Sequence, residues 1–180
     1  EAMPSHANIT WERLQQENAV TYPCPEPGAP GREIVFDTRF PTPNGRALLV
    51  PAGLTDPAEL PDEEYPFVLT TGRELEHWHT GAMSRHASVL DALEPGPVVT
   101  LSPGALKRIG VAAGEAVRVT TRRGAIVAAA RADGAMPDDM VFAPFAFREA
   151  PANLLTDPTL DPLAKLPGFK YCAARVARAG

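Results

Sequence analysis

The placement of proline constrains the fold of this chain more than any other feature. Proline cannot donate a backbone hydrogen bond, so it is excluded from helix interiors and central strands. The chain has 20 prolines in 180 residues, and most of them fall within residues 23–66 and 137–167. The densest run covers residues 22–31 and predicts an extended arm. We therefore expect residues 1–64 to be an arm or linker from a preceding domain, and residues 65–180 to form a folded domain.

From residue 65 onward the sequence predicts short strands separated by small helices. An apolar and β-branched run at 67–71 ends at Gly72, as in a buried strand with a tight exit. A short helix is predicted after Ser102, with Pro103 at its first position and Gly110 after its last turn. Further predicted elements are strands at 36–40, 47–50, 98–102, 115–122, 125–132, 141–145 and 171–176, and helices at 5–16 and 84–93. This pattern is typical of a mainly β protein with short helices that closes into a β-barrel.

Composition narrows the class of protein and its partners. Hydrophobic residues make up 44% and charged residues 22% of the chain, as in an ordinary globular protein. The net charge of −5 and the pI of about 5.4 argue against a nucleic-acid partner. No apolar run reaches the roughly 18–20 residues of a membrane span, and no signal peptide is visible. The start at Glu1 rather than methionine suggests an internal cut in a longer polypeptide.

Two cysteines, Cys24 and Cys172, are far apart and neither is in a CxxC pair. We expect both to be reduced thiols in a cytoplasmic protein, and Cys172 to lie in the core. They cannot build a four-cysteine zinc site or ligate an iron–sulfur cluster. A zinc site made by His77, His79 and His86 would need a further ligand, so we expect no metal-ligating residues here.

The densest polar segment, residues 70–81, follows the predicted buried strand. Gly72 would allow close backbone approach to a ligand, and Arg73 offers a planar fork for phosphate or carboxylate. Glu74 could orient the arginine or accept from a ligand amine. Titratable or hydroxyl groups follow at His77, His79 and Thr80. A solvated surface loop is the alternative explanation of the same residues.

Several ordered motifs resemble a known family over nearly the whole chain. The segment 66–73 and the sequence His77-Trp78-His79-Thr80 are similar to the opening of the C-terminal dinucleotide-binding domain of molybdopterin oxidoreductases. The resemblance is strongest to the alpha chains of formate dehydrogenases. Further similar segments are residues 11–14, 22–25, 101–114, 119–127, 152–156 and 169–176.

The resemblance implies a double-psi β-barrel of the aspartate-decarboxylase-like type, preceded by the proline-rich arm. It also implies a bis-molybdopterin guanine dinucleotide cofactor on molybdenum or tungsten. The family's catalytic cysteine or selenocysteine and its cluster-binding cysteines lie upstream, so no catalytic residue is expected in this chain, which alone should be inactive. The cofactor-binding positions implied are Gly72, Arg73, Glu74, His77, His79, Thr80, Asn153 and Lys170. The implied partners are the remainder of the alpha chain and its electron-transfer subunits.

The resemblance also implies that Arg73 and His77 would reach the cofactor from one side, and Asn153 and Lys170 from the other. These four side chains should then face one concave surface at an end of the barrel. A nitrate reductase-like enzyme of the same superfamily remains an alternative, as does a cofactor-free scaffold relative in a redox complex. A self-processing decarboxylase is less consistent with the sequence, because no internal Gly-Ser cleavage pair is present.

Overall fold

The strands and helices of the chain are described by a computed structural model covering residues 3–180. The strands are β1 (Phe67–Gly72), β2 (Val98–Leu101), β3 (Ala116–Thr120), β4 (Ala125–Ala132), β5 (Met140–Pro144) and β6 (Cys172–Arg178). The helices are α1 (Trp11–Glu17), α2 (Ser88–Leu93) and α3 (Pro103–Ile109), with short 3₁₀ turns at Pro4–His6, Ser84–His86 and Ala152–Leu154. No helix within residues 3–180 is long and apolar enough to cross a bilayer.

The chain separates into two compact units, the first ending at Gly53 and the second running from Leu54 to Gly180. All six strands belong to the second unit. Residues 54–64 also belong to it: Glu59 accepts hydrogen bonds from both Arg122 and Arg123 in the turn between β3 and β4. The assignment of residues 1–64 as an arm from a preceding domain stays a prediction.

The six strands form a closed barrel in the order β1-β5-β2-β4-β3-β6. The pairs β1–β5 and β2–β4 are parallel, and the other neighbours are antiparallel. The expectation of a mainly β, closed barrel is confirmed, while its double-psi form stays a prediction. These directions mean that β1, β3 and β5 finish at the same end, where β2, β4 and β6 begin. We call this the upper end of the barrel.

The barrel interior is filled by aliphatic side chains at alternating positions. In β3, Val117 and Val119 are fully buried while Ala116 and Arg118 are exposed, as the alternation of the sequence predicts. Alanines occupy many inward positions of β4, β5 and β6 and leave room for the larger side chains opposite. The fully or almost fully buried aliphatic residues of the strands include Leu69, Val99, Leu101, Val117, Val119 and Val141.

Helix α3 forms as its terminal residues predict. The Ser102 hydroxyl accepts a hydrogen bond from the amide of Ala105 at 2.9 Å, and Pro103 occupies the first turn. Gly110 adopts the left-handed conformation that ends the helix. Helix α3 covers the lower end of the barrel through buried Leu106.

In the first unit, the predicted helix at 5–16 is reduced to a 3₁₀ turn followed by α1, which Thr10 caps as expected. The predicted strands at 36–40 and 47–50 are wrong. A turn does form, with the Gly45 amide donating to Thr42, but Phe36 has a positive φ and Leu48 is 80% exposed. No strand occurs within residues 3–53, so these apolar side chains pair with no neighbouring strand.

The two cysteines are free and buried, as expected. Cys172 begins β6, and its thiol lies against the carbonyl of Leu155 at 3.4 Å. Burial raises the pKa of the Cys172 thiol, which keeps it protonated and unreactive.

Candidate functional site

The loop that leaves β1 places an exposed arginine at the upper end of the barrel. Gly72 is held to β5 by the amide of Phe145, which donates to the Gly72 carbonyl at 3.1 Å. The Arg73 guanidinium donates to Nε2 of His79 at 2.8 Å and lies over the Trp78 ring, 5.2 Å from its centroid. Because an arginine can only donate, Nε2 of His79 is the acceptor in this bond. The pair presents a cationic fork to solvent.

Gly72 itself is explained by packing within the barrel. It is buried, and a Cβ there would lie 2.6 Å from the Phe142 ring. Its φ is not positive, so backbone conformation does not require glycine at this position. A side chain at position 72 would therefore have to displace the Phe142 ring.

Lys170 joins this loop from a distant part of the sequence. Its ammonium donates to the carbonyl of Thr71 at 2.6 Å, and the Thr71 hydroxyl donates to the carbonyl of Phe169 at 2.5 Å. The ammonium also lies 6.0 Å from the centroid of the Phe145 ring, on which the His79 ring stacks. Lys170 and Arg73 thus both lie near the end of β1, and both side chains are exposed.

His77 is buried rather than exposed to a ligand. Its Nε2 lies 2.8 Å from the carbonyl of Glu94, which requires a proton on that nitrogen, and its Nδ1 lies 3.3 Å from the Ser84 hydroxyl. The same hydroxyl accepts from the amide of Trp78 at 2.9 Å. The ring also packs edge-on against Phe147. This environment favours a role in holding the loop over direct contact with a cofactor.

Thr80 and Asn153 are exposed at the upper end. Asn153 lies in the 3₁₀ turn before β6, and the carbonyl of nearby Leu155 accepts from the Thr121 hydroxyl at 3.0 Å. Thr121 follows β3, so this contact fixes the turn against the upper end. Arg73, Asn153 and Lys170 therefore share one end of the barrel, with His77 buried under the loop of Arg73.

Glu74 points away from solvent into an ion cluster that sequence reasoning missed. Its side chain is 7% exposed and lies 3.5 Å from Arg131, which also donates to Glu94. Burial, together with a hydrogen bond to Glu94 and repulsion from it, raises the pKa of Glu74 to about 7. Glu94 and Arg131 carried no local signal, because they stand 20 and 57 residues from Glu74 and belong to different elements.

The exposed groups at the upper end suit an anionic, phosphorylated ligand. They provide a guanidinium, an ammonium, a hydroxyl and a carboxamide, whereas the nearby carboxyl of Glu74 is turned inward. A groove of about 490 Å³ adjoins Lys170, but Asp56, Asp157 and Asp161 also line it, so it is not itself a site for an anion. No group of three or more metal-ligating side chains occurs among residues 3–180. The exposed donors are therefore of the kinds that bind phosphate groups.

Comparison with known proteins agrees with this chemistry. The sequence profile of the family described as "Molydopterin dinucleotide binding domain" matches residues 67–173, from the first residue of β1 into β6. This chain belongs to that family. The matched range contains every predicted site residue from Gly72 to Lys170.

The relatives of this dinucleotide-binding domain are much longer proteins. It is 38% identical to the F420-dependent formate dehydrogenase subunit alpha of Methanocaldococcus jannaschii, over 97% of this chain and 26% of that protein. It is 32% identical to the assimilatory nitrate reductase catalytic subunit of Bacillus subtilis, over 95% of this chain and 24% of that protein. The chain thus spans about a quarter of the length of the curated relatives it matches.

A solved structure supports the fold. The acetylene hydratase of Pelobacter acetylenicus superposes with a TM-score of 0.59 at 23% identity, over 65% of this chain and 19% of that chain. At this level of identity the likeness shows the shared barrel architecture alone.

Proposed function

We propose that this chain is the cofactor-holding domain of a formate dehydrogenase that oxidises formate to carbon dioxide. The observation that carries the proposal is that Arg73 and Lys170 are both exposed at the upper end of the barrel, where Arg73 contacts His79 and Lys170 donates to the Thr71 carbonyl. The similarity to formate dehydrogenase alpha subunits over 97% of the chain supplies the reaction.

The cofactor in this proposal is bis-molybdopterin guanine dinucleotide on molybdenum or tungsten, which supplies the redox chemistry when bound. Arg73 would bind a phosphate through its planar fork, and Lys170 would bind one as a point charge. Asn153 offers both a donor and an acceptor for a pterin edge. His79 would keep the Arg73 guanidinium in place, and the Thr80 hydroxyl would donate a hydrogen bond to the cofactor.

Three predicted cofactor contacts take a different part in this proposal. Glu74 and His77 are buried under the loop and face protein groups, so we assign them to holding the loop. Gly72 contributes its carbonyl to the bond with Phe145 and its lack of a side chain to the packing of Phe142.

The remaining expectations concern the rest of the protein. The catalytic cysteine or selenocysteine and the iron–sulfur clusters would lie in other parts of the alpha chain, and electrons would leave through further subunits in the cytoplasm. Both cysteines of this chain are buried, so we assign neither of them a role in catalysis. The isolated chain should accordingly show no formate oxidation.

The nitrate reductase relative at 32% identity supports a second candidate, the same domain in a nitrate-reducing enzyme. Assay of the full-length protein with formate and with nitrate would separate the two. A scaffold relative that has lost its cofactor would instead contain neither metal nor guanine nucleotide.

The proposal is tested by the cofactor content of the full-length protein. Loss of a charged hydrogen bond costs about 1.5–3 kcal/mol, so Arg73→Ala should weaken cofactor binding about 10- to 100-fold. Arg73→Lys should recover part of this, since it keeps the charge and loses the fork. Metal and guanine nucleotide per chain, measured after dilution, provide the readout. Arg118→Ala, an exposed arginine on β3, is the matched control, and full occupancy in Arg73→Ala would refute the phosphate role.

A further inference from the structure

Two buried carboxyl groups share one arginine beneath the loop that leaves β1. The side chains of Glu74 and Glu94 are 7% and 13% exposed, while that of Arg131 is 41% exposed. Arg131 donates to Glu94 and lies at 3.5 Å from Oε1 of Glu74. One guanidinium balances one carboxylate, so two ionised carboxylates would leave a buried negative charge without a partner.

The second oxygen of Glu74 shows how this imbalance is resolved. Oε2 of Glu74 is buried and finds no hydrogen-bond donor among residues 3–180. Arg131 contacts the side chains of both Glu74 and Glu94, so the two carboxyl groups meet around one guanidinium. A carboxylate cannot donate, so the two acids can bond to each other only if one of them carries a proton. A proton on Glu74 satisfies its buried oxygen and makes the cluster neutral.

Glu94 also anchors the loop through its backbone. Its carbonyl accepts from Nε2 of His77, whose other nitrogen meets the Ser84 hydroxyl that holds the amide of Trp78. The side chain and the carbonyl of Glu94 thus fasten two points of the segment that carries Arg73 and His79. Separation of Glu74 from Glu94 would release the first of these two points.

We propose that Glu74 is a protonated positioning residue, and that the proton it shares with Glu94 latches the loop of residues 73–80 onto the segment before β2. The inference rests on the proposed function only in that the latched loop carries Arg73. The latch is a property of this chain's own residues, and it can be measured with or without the cofactor.

The charges that face Glu74 agree with this assignment. Burial is the largest influence that raises the pKa of Glu74 to about 7, followed by its hydrogen bond to Glu94 and by repulsion from Glu94 and Glu76; Arg131 acts in the opposite direction. Burial also acts to raise the pKa of Glu94, but hydrogen bonds from Arg131 and Glu74 outweigh it and lower that pKa. His77 lowers it further.

The sign of the pH dependence follows from the raised pKa of Glu74. With the loop open, Glu74 should ionise near its ordinary value of 4.5, whereas the latched group ionises near 7. The latch is therefore at full strength below pH 4.5, weakens as the pH rises, and is lost once the pH has passed through about 7. Between pH 5 and pH 8 the latching equilibrium should fall up to about 70-fold, with most of the loss below pH 7.

Hydrogen exchange of the loop amides in the full-length protein tests the latch. Protection of residues 75–80, corrected for the intrinsic rate and referenced to the amides of β1 and β3, should fall with pH as described. Glu74→Gln keeps a donor and cannot ionise, so its protection should stay high and flat over the whole range. Glu74→Ala should be less protected than the wild type at pH 5 and should not change with pH, because the second point of attachment through His77 remains. Glu64→Gln, an exposed carboxyl before β1, should behave as the wild type.

Three results would overturn the latch. These are a pH-independent wild type, a Glu74→Gln variant that falls in parallel with the wild type, and a Glu74→Gln variant unprotected even at pH 5. The readout does not involve the cofactor, so failure of the latch is distinct from failure of the proposed function. The latter would show as unchanged cofactor content in Arg73→Ala.

Discussion

Replacement of Gly72 by alanine separates two explanations of this glycine. Either the backbone must approach a ligand closely, or the Phe142 ring occupies the space of a side chain. An added Cβ would lie 2.6 Å from Cε2 and 3.0 Å from Cζ of Phe142. Carbon atoms in contact prefer about 3.5–4.0 Å, so the ring must move by about 1 Å.

The cost of Gly72→Ala can be bounded from this geometry. Overpacking typically destabilises by about 1–3 kcal/mol, and the half-buried ring of Phe142 can shift toward solvent. Alanine also restricts the unfolded chain, which offsets about 0.4–1 kcal/mol where the backbone conformation is compatible. We expect a net loss of about 1–2 kcal/mol in the wild-type background. With Phe142→Ala the clash is absent, so the same change should be neutral or slightly stabilising.

A double-mutant cycle measures the interaction. The free energy of opening of the β1 and β5 amides, obtained from native-state hydrogen exchange in the full-length protein, is compared for both single variants and the double variant. A coupling energy of about 1–2 kcal/mol between residues 72 and 142 is expected. If Gly72→Ala costs the same with and without the Phe142 ring, and also empties the cofactor site, the packing explanation is refuted in favour of ligand approach.

Two further predictions concern the frame of the barrel. Glu59→Gln should destabilise the segment 54–64 by about 1–3 kcal/mol, because Glu59 accepts hydrogen bonds from both Arg122 and Arg123 and its side chain is only 10% exposed. Faster amide hydrogen exchange in residues 54–64 is the expected result, and the exposed Glu63→Gln variant is the control. Equal exchange in the two variants would contradict the prediction. Ser102→Ala removes the N-terminal cap of α3 and should lower the free energy of opening of the α3 amides, measured by hydrogen exchange, by about 1 kcal/mol. Unchanged exchange in α3 would show that the hydroxyl does not cap the helix.

Elements with local signals were predictable from the sequence. Helix α3 carries its cap at Ser102, its proline at position 103 and its terminating Gly110 within nine residues. The hairpin of β3 and β4 follows from alternating Val117 and Val119 and the turn at 121–124. In each case the residues that determine the structure are neighbours in sequence.

Elements that depend on distant partners were not predictable in detail. The apolar runs at 36–40 and 47–50 resemble strands, but a strand needs a partner and these runs have none among residues 3–53. The predicted helix at 84–93 is interrupted at Ala87, which adopts an extended conformation. Arg85, just before the interruption, bonds to Glu149, 64 residues away, a contact that no local pattern contains.

The candidate site shows the same division. The exposed donors Arg73 and Lys170 were identified in the sequence, and the structure brings them together through Thr71. The inward direction of Glu74 was not foreseen, because it depends on Glu94 and Arg131 from other elements. Residue type indicated which groups were chemically able to bind, while the topology of the barrel decided which of them face outward.

The position of the cofactor in the full-length protein tests the central claim most directly. A structure of the loaded protein by crystallography or electron microscopy should show phosphate oxygens within hydrogen-bonding distance of Arg73 and Lys170, at the end where β1, β3 and β5 finish. The lower end also offers exposed cations, Lys107 and Arg108 on α3, and serves as an internal control. A dinucleotide bound at that lower end, or one that leaves both Arg73 and Lys170 in solvent, would contradict the account.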